Sequence, residues 1–138
     1  MLRIPQYIID EMTAHALQLS PVECCGIMAG KSSEEDANVT HIYPIRNEDH
    51  SIVSYFMDPK ELLWVHKNIR SNQLDLLVIY HSHTHTQAYP SATDVRLAFY
   101  PEAYYVIISL EVKDQPTIKA FRIRNGEIDP VEFSVTEP

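Results

Sequence analysis

Leu74–Asp94 reads LDLLVIYHSHTHTQAYPSATD, an apolar run that passes directly into histidines. Leu74–Tyr80 is short, partly β-branched and bounded by polar residues, the pattern of a buried strand. Side chains alternate along an extended chain, so His81 and His83 share one face and Ser82 takes the other. Two imidazoles about 6–7 Å apart at their Cα atoms can converge on one ion. After seven intervening residues come Ser91 and, three positions on, Asp94. Two histidines and a carboxylate suit zinc and leave a fourth position open to water.

Each part also has a plainer reading. A histidine taken alone is more often a surface or satisfied core residue than a ligand. Ser91-Ala92-Thr93-Asp94 fits a helix N-cap followed by an acid at N3. The two roles are compatible for Asp94, because a carboxylate is comfortable at the positive end of a helix. His85 continues the alternation, yet three ligands on one rigid strand would spread their Cα atoms over roughly 13 Å. Asp94 is therefore favoured over His85 as the third ligand.

The spacing His81-x-His83-x(7)-Ser91-x-x-Asp94 resembles the motif of the JAMM (MPN+) metalloprotease family, which also requires an upstream glutamate. Glu23 supplies one, in Pro21-Val22-Glu23-Cys24-Cys25-Gly26 ahead of the apolar Ile27-Met28-Ala29-Gly30. The likeness extends over most of the chain and takes in Tyr55-Phe56-Met57-Asp58-Pro59 before the central helix. HSHT and AYPSATD look most like bacterial stand-alone members, which include a hydrolase that frees cysteine from a sulfur-carrier protein. Thr84 and Ala92 stand where many members have proline, which touches loop shape and not the chemistry.

The 138 residues suit one domain, 1–138, with 45% hydrophobic and 22% charged residues. A net charge of −8 argues against nucleic acid as the main partner. No run approaches about 18 apolar residues, and the first residues lack an apolar leader, so neither a membrane span nor a signal peptide is expected. Cys24 and Cys25 are adjacent and offer no disulfide framework, which makes a reduced cytoplasm the simplest setting. Within a buried strand these thiols read as packing rather than nucleophiles. The length also excludes the TIM-barrel hydrolases that carry His-x-His, since that fold needs roughly 250 residues.

In chain order, Leu2-Arg3-Ile4 predicts a strand, and Ile8, Ile9, Met12, Ala16 and Leu19 predict a helix after Pro5. Val22–Gly30 reads as a strand and Lys31–Asn38 as a mobile polar loop. Val39–Ile45 and Ile52–Met57 read as two further strands. Asp58-Pro59-Lys60-Glu61 is a helix start with N-cap, N1 proline and N3 acid, and that helix should run to about Ser71 with His66 on its surface. A short helix holding Asp94 precedes the apolar strand Ala103–Leu110. Thr117–Arg124 and Glu127–Val135 form a hairpin about Asn125-Gly126. The class is α/β with a mixed sheet, and the resemblance implies a three-layer, cytidine-deaminase-like arrangement with helices flanking the sheet. Deaminase chemistry is unsupported, because the chain has no Pro-Cys-x-x-Cys.

The resemblance implies a mechanism as well. One zinc per chain, held by His81, His83 and Asp94, would lower the pKa of a water from 15.7 toward about 7. Glu23 would act as general base and then protonate the departing amine. Ser91 would hydrogen-bond the oxyanion. The implied substrate is a ubiquitin-like or sulfur-carrier protein, cut after its C-terminal Gly-Gly. The short segments Lys31–Asn38 and Asp94–Ala103 favour a small leaving group such as cysteine. A non-catalytic MPN-type scaffold and a histidine-rich metal-binding protein using His81, His83 and His85 remain the alternatives, and a homodimer is open.

Overall fold

The computed structural model describes residues 1–137. The motif's apolar run becomes β4 (Asp75–His83), at the centre of one eight-stranded sheet. The other elements, in chain order, are β1 (Leu2–Pro5), α1 (Gln6–Leu19), β2 (Cys25–Ser32), β3 (Ala37–Ile45), α2 (Pro59–Ser71), α3 (Ala92–Arg96), β5 (Tyr104–Ser109), β6 (Thr117–Arg124), β7 (Glu127–Val131) and β8 (Phe133–Thr136). Strand order is β7-β6-β5-β4-β2-β3-β1-β8. β4 pairs antiparallel with β2 and parallel with β5, so both its edges are hydrogen-bonded. Both its faces are covered too, which is why it reads as an unbroken apolar run rather than an alternation.

The faces have different owners. Val78 and Tyr80 look toward α1, whose Ile8, Met12 and Ala16 pack on β1, β3 and β8. Ile79 looks toward α2 through Val65 and Ile69, and two residues further on the same face come His81 and His83. Three layers result, as the resemblance implies, with α1 and α2 on opposite sides. The middle layer is not flat. Glu132 alone separates β7 from β8, although these are the two ends of the sheet. One intervening residue is two Cα steps, at most about 7 Å, so the sheet must curl until its two edges meet there.

Local sequence explains how α2 begins and how β6 turns into β7. Asp58 caps α2 by accepting from the Lys60 and Glu61 amides at 2.8 and 3.4 Å, with Pro59 in the first turn. Asn125 and Gly126 both take positive φ (53° and 79°), the geometry that a two-residue hairpin turn demands. No helix among the described residues is long and apolar enough to cross a membrane.

Three expectations need correction. Ile52–Met57 is not a strand; only Met57 forms a bridge, to Asn47. The Asn47 side chain binds this segment's backbone itself, accepting from Asp49 N and Phe56 N and donating to Ser54 O. Those groups therefore need no partner strand. The second hairpin arm, Glu127–Val135, breaks at Glu132: β7 stays on β6 while β8 crosses to pair parallel with β1. Lys31–Asn38 is a loop only over residues 33–36; residues 31–32 and 37–38 belong to β2 and β3. That turn lies at the far end of β2 from Cys25, the residue that pairs with His81. The loop therefore does not flank the site; residues 46–57 do.

Candidate metal centre and active site

β4 presents His81 and His83 at its C-terminal end, 1% and 4% exposed. The chain then loops back through residues 84–91, and α3 returns Asp94 to the same point. Its Oδ2 lies 3.1 Å from His81 Nε2 and 2.9 Å from His83 Nε2, and the two Nε2 atoms are 3.1 Å apart. Bonds of 2.0–2.1 Å at the tetrahedral angle give ligand–ligand edges of about 3.3 Å. The triangle fits a zinc-sized cation to within a few tenths of an ångström. Two imidazole lone pairs cannot face each other this closely without a proton or cation between them, so the donor set itself argues for one.

α3 is held in place by a capping box. Ser91 Oγ accepts from Asp94 N, and Asp94 Oδ2 accepts from Ser91 N, both at 3.0 Å. The cap reading and the ligand reading of Asp94 are thus both compatible with one geometry. Ser91 itself is exposed and its hydroxyl hydrogen is uncommitted by that bond. His85 is exposed and outside the triangle, with Nδ1 2.8 Å from Thr84 Oγ1. Thr84 Oγ1 donates to Pro21 O at 3.0 Å, tying the loop to the approach of β2.

Glu23 stands just before β2. Cys25 is in register with His81, and the pairing continues through Ser82 N to Cys24 O at 3.1 Å and Cys24 N to Ser82 Oγ at 2.8 Å. One step beyond this pairing stands Glu23, near enough to His83 for their charges to interact. Glu23 is 3% exposed, and its Oε1 has no hydrogen-bond partner among the described residues. Burial pushes its pKa up to about 8, with His83 pulling down and Asp94 pushing up. For Asp94 burial acts upward, but hydrogen bonds from His81 and His83 overcome it and hold the carboxyl well below the usual range. Burial lowers His81. On His83 burial is outweighed by its bonds to Asp94 and the Gln87 carbonyl, which raise it.

Sequence reasoning missed two residues here. Asn47, 3% exposed, donates to Glu23 O at 3.0 Å as well as organising residues 49–56. Tyr55 stacks on His81 with ring centroids 4.6 Å apart and an interplanar angle of 27°. Tyr55 was visible only as part of Tyr55–Pro59; nothing local marked Asn47. Tyr55 also borders an apolar cavity of about 270 Å³ beside Asp94, lined by Met57, Leu62, Leu97, Tyr100 and Tyr105 among others. His66, expected on the helix surface, is half-buried instead, with Nε2 3.3 Å from the Tyr100 hydroxyl. The two cysteines are wholly buried, and burial raises both thiols, Cys24 to about 12. Neither is a nucleophile at neutral pH.

A curled mixed sheet that ends in a buried His-x-His, faced by a carboxylate from the next helix, defines a JAMM-type hydrolase. The chain belongs to the prokaryotic homologs of the JAB domain, which match it over residues 5–124. The CysO-cysteine peptidase of Mycobacterium tuberculosis is 37% identical over 130 residues, covering 94% of this chain and 88% of that protein. The probable TtuB-protein conjugate cleaving protease of Thermus thermophilus is 33% identical over 128 residues, or 92% of this chain and 79% of its own length. The solution structure of a Desulfitobacterium hafniense protein superposes with a TM-score of 0.92 at 39% identity, covering 100% of this chain and 94% of that one.

Proposed function

We propose that the chain is a zinc-dependent peptidase that cleaves the amide bond after the C-terminal Gly-Gly of a sulfur-carrier-like protein and releases cysteine or another small amine. The observation that carries this reading is the convergence of His81, His83 and Asp94 on one point, with a buried, unpartnered Glu23 carboxyl across the strand pair. The likeness to a CysO-cysteine peptidase supports the substrate class.

His81, His83 and Asp94 would hold a zinc ion, which would supply Lewis acidity toward a water and a carbonyl and a positive charge favouring the ionised form of Glu23. The rest falls to side chains. Glu23 takes the proton of the attacking water and passes it to the departing amine, whose basicity would otherwise make it a poor leaving group. Ser91, with its oxygen already accepting from Asp94 N, points its hydrogen to the developing oxyanion; one such donor typically stabilises the transition state by about 3–4 kcal/mol. The carrier's extended tail binds through backbone hydrogen bonds, and its glycines permit close approach. α3 has only 5 residues, and Leu97–Ala103 follows it without further structure. That leaves little protein on this side to hold a folded leaving group.

The test is mass spectrometry of a carrier–cysteine adduct beside a linked pair of ubiquitin-like proteins, at matched concentration with and without chelator. Chelator-sensitive release of cysteine is expected, and it should vanish when the carrier loses its last two glycines. Faster cleavage of the linked pair would overturn the small-amine reading.

A further inference from the structure

We infer that Tyr55 is a positioning residue that orients the His81 imidazole through its ring, in place of the hydrogen bond that His81 lacks. The inference rests on the proposed metal-binding role of His81. A ligating imidazole is normally fixed by its second nitrogen, which sets both the tautomer and the ring plane. His83 follows that rule: with Nε2 turned to the cluster, Nδ1 donates to the Gln87 carbonyl at 2.8 Å. His81 does not. Its Nε2 also faces the cluster, but Nδ1 is buried and has no hydrogen-bond partner among the described residues. Without another constraint its ring could turn about χ2.

That constraint is Tyr55, stacked over the imidazole at 4.6 Å and 27°, within the range of favourable aromatic pairs. Tyr55 is itself held from both sides. Asn47 Nδ2 donates to Ser54 O at 3.1 Å and Asn47 Oδ1 accepts from Phe56 N at 3.0 Å, bracketing the tyrosine. The same amide donates to Glu23 O at 3.0 Å. One buried side chain thus fixes the backbone that carries Tyr55 and the backbone that carries Glu23. Tyr55 also forms a wall of the apolar cavity beside Asp94, so it separates His81 from that space. The ring alone does the orienting.

The experiment uses the full chain stripped of metal, with wild type, Tyr55→Phe and Tyr55→Leu compared where each is folded. Zinc affinity is read by competition with a chromophoric chelator, and ligand geometry by the visible d–d bands of the cobalt(II) form. Phe should reproduce wild type in both. Leu should bind zinc roughly 3- to 10-fold more weakly, the range that an aromatic pair is worth, and should shift or broaden the cobalt bands. Wild-type affinity and spectrum in Tyr55→Leu would overturn the inference, as would a Phe variant as impaired as Leu, since the hydroxyl would then be the active group. Wild type is measured first: if it binds neither ion, the metal reading falls and this inference falls with it. Normal binding by wild type and by Leu sinks the inference alone.

Discussion

Replacing Glu23 by glutamine should make the metal-free protein more stable above neutral pH while removing its activity. Glu23 is 3% exposed, with a carboxyl oxygen that has no partner among the described residues, and burial raises its pKa from 4.5 to about 8. In the unfolded chain it ionises near its ordinary value; in the fold it keeps its proton until about pH 8. Folding therefore takes up a proton between these values, and stability falls as pH rises through that window. The slope is about 1.4 kcal/mol per pH unit, which gives a ceiling of about 5 kcal/mol once the folded carboxyl is ionised. Glutamine keeps the shape and carries no charge, so its advantage over wild type should be near zero at pH 4.5, grow through pH 6 and 7, and level off above about 8. Denaturant unfolding of both zinc-free proteins at each pH measures the difference, which cancels the histidines common to both. Parallel stability curves across pH 5–8 would refute the burial argument. With zinc bound, the window should move to lower pH, because a cation favours the carboxylate. Turnover of the glutamine variant should fall by two or more orders of magnitude with zinc retained.

Three further outcomes follow from the geometry. Metal analysis should find zinc lost from His81→Ala, His83→Ala and Asp94→Ala and kept at one per chain in His85→Ala, whose imidazole is exposed and outside the triangle; the reverse for Asp94 and His85 would reassign the third ligand. Asn47→Ala should cost roughly 2–4 kcal/mol in denaturant unfolding, because the carbonyls of Glu23 and Ser54 lose their donor, and it should slow turnover by displacing Glu23 and Tyr55 together. Gly30→Ala should destabilise by roughly 1–3 kcal/mol or more, since a Cβ there would fall on the Asn38 carbonyl, which is backbone and cannot rotate away; wild-type stability would mean that the β2–β3 bulge beside it yields more easily than the register implies.

Much of this protein is readable in one dimension. The run Leu74–Tyr80, the Asp58-Pro59 helix start, the Ser91–Asp94 box and the Asn125-Gly126 turn are local devices, each complete within a few residues, and the structure uses all four. The motif spacing pointed to the residues that meet at the cluster, because strand alternation and a helix cap constrain direction without any tertiary context. What stayed hidden depends on partners distant in sequence. Glu132 looks like any other strand residue; only closure of the curled sheet, which offers β1 an unpaired edge, makes it the break between β7 and β8. Ile52–Met57 has strand composition, yet the Asn47 side chain satisfies its backbone and keeps it out of the sheet. Tyr55 comes to lie over His81 for the same reason. Sequence thus pointed to the side chains that meet at the cluster and to the two faces of the strand that carries them. The tertiary fold decided what lies against them, because burial, Glu23's raised pKa and the ring over His81 arise from contacts between segments that share no local pattern.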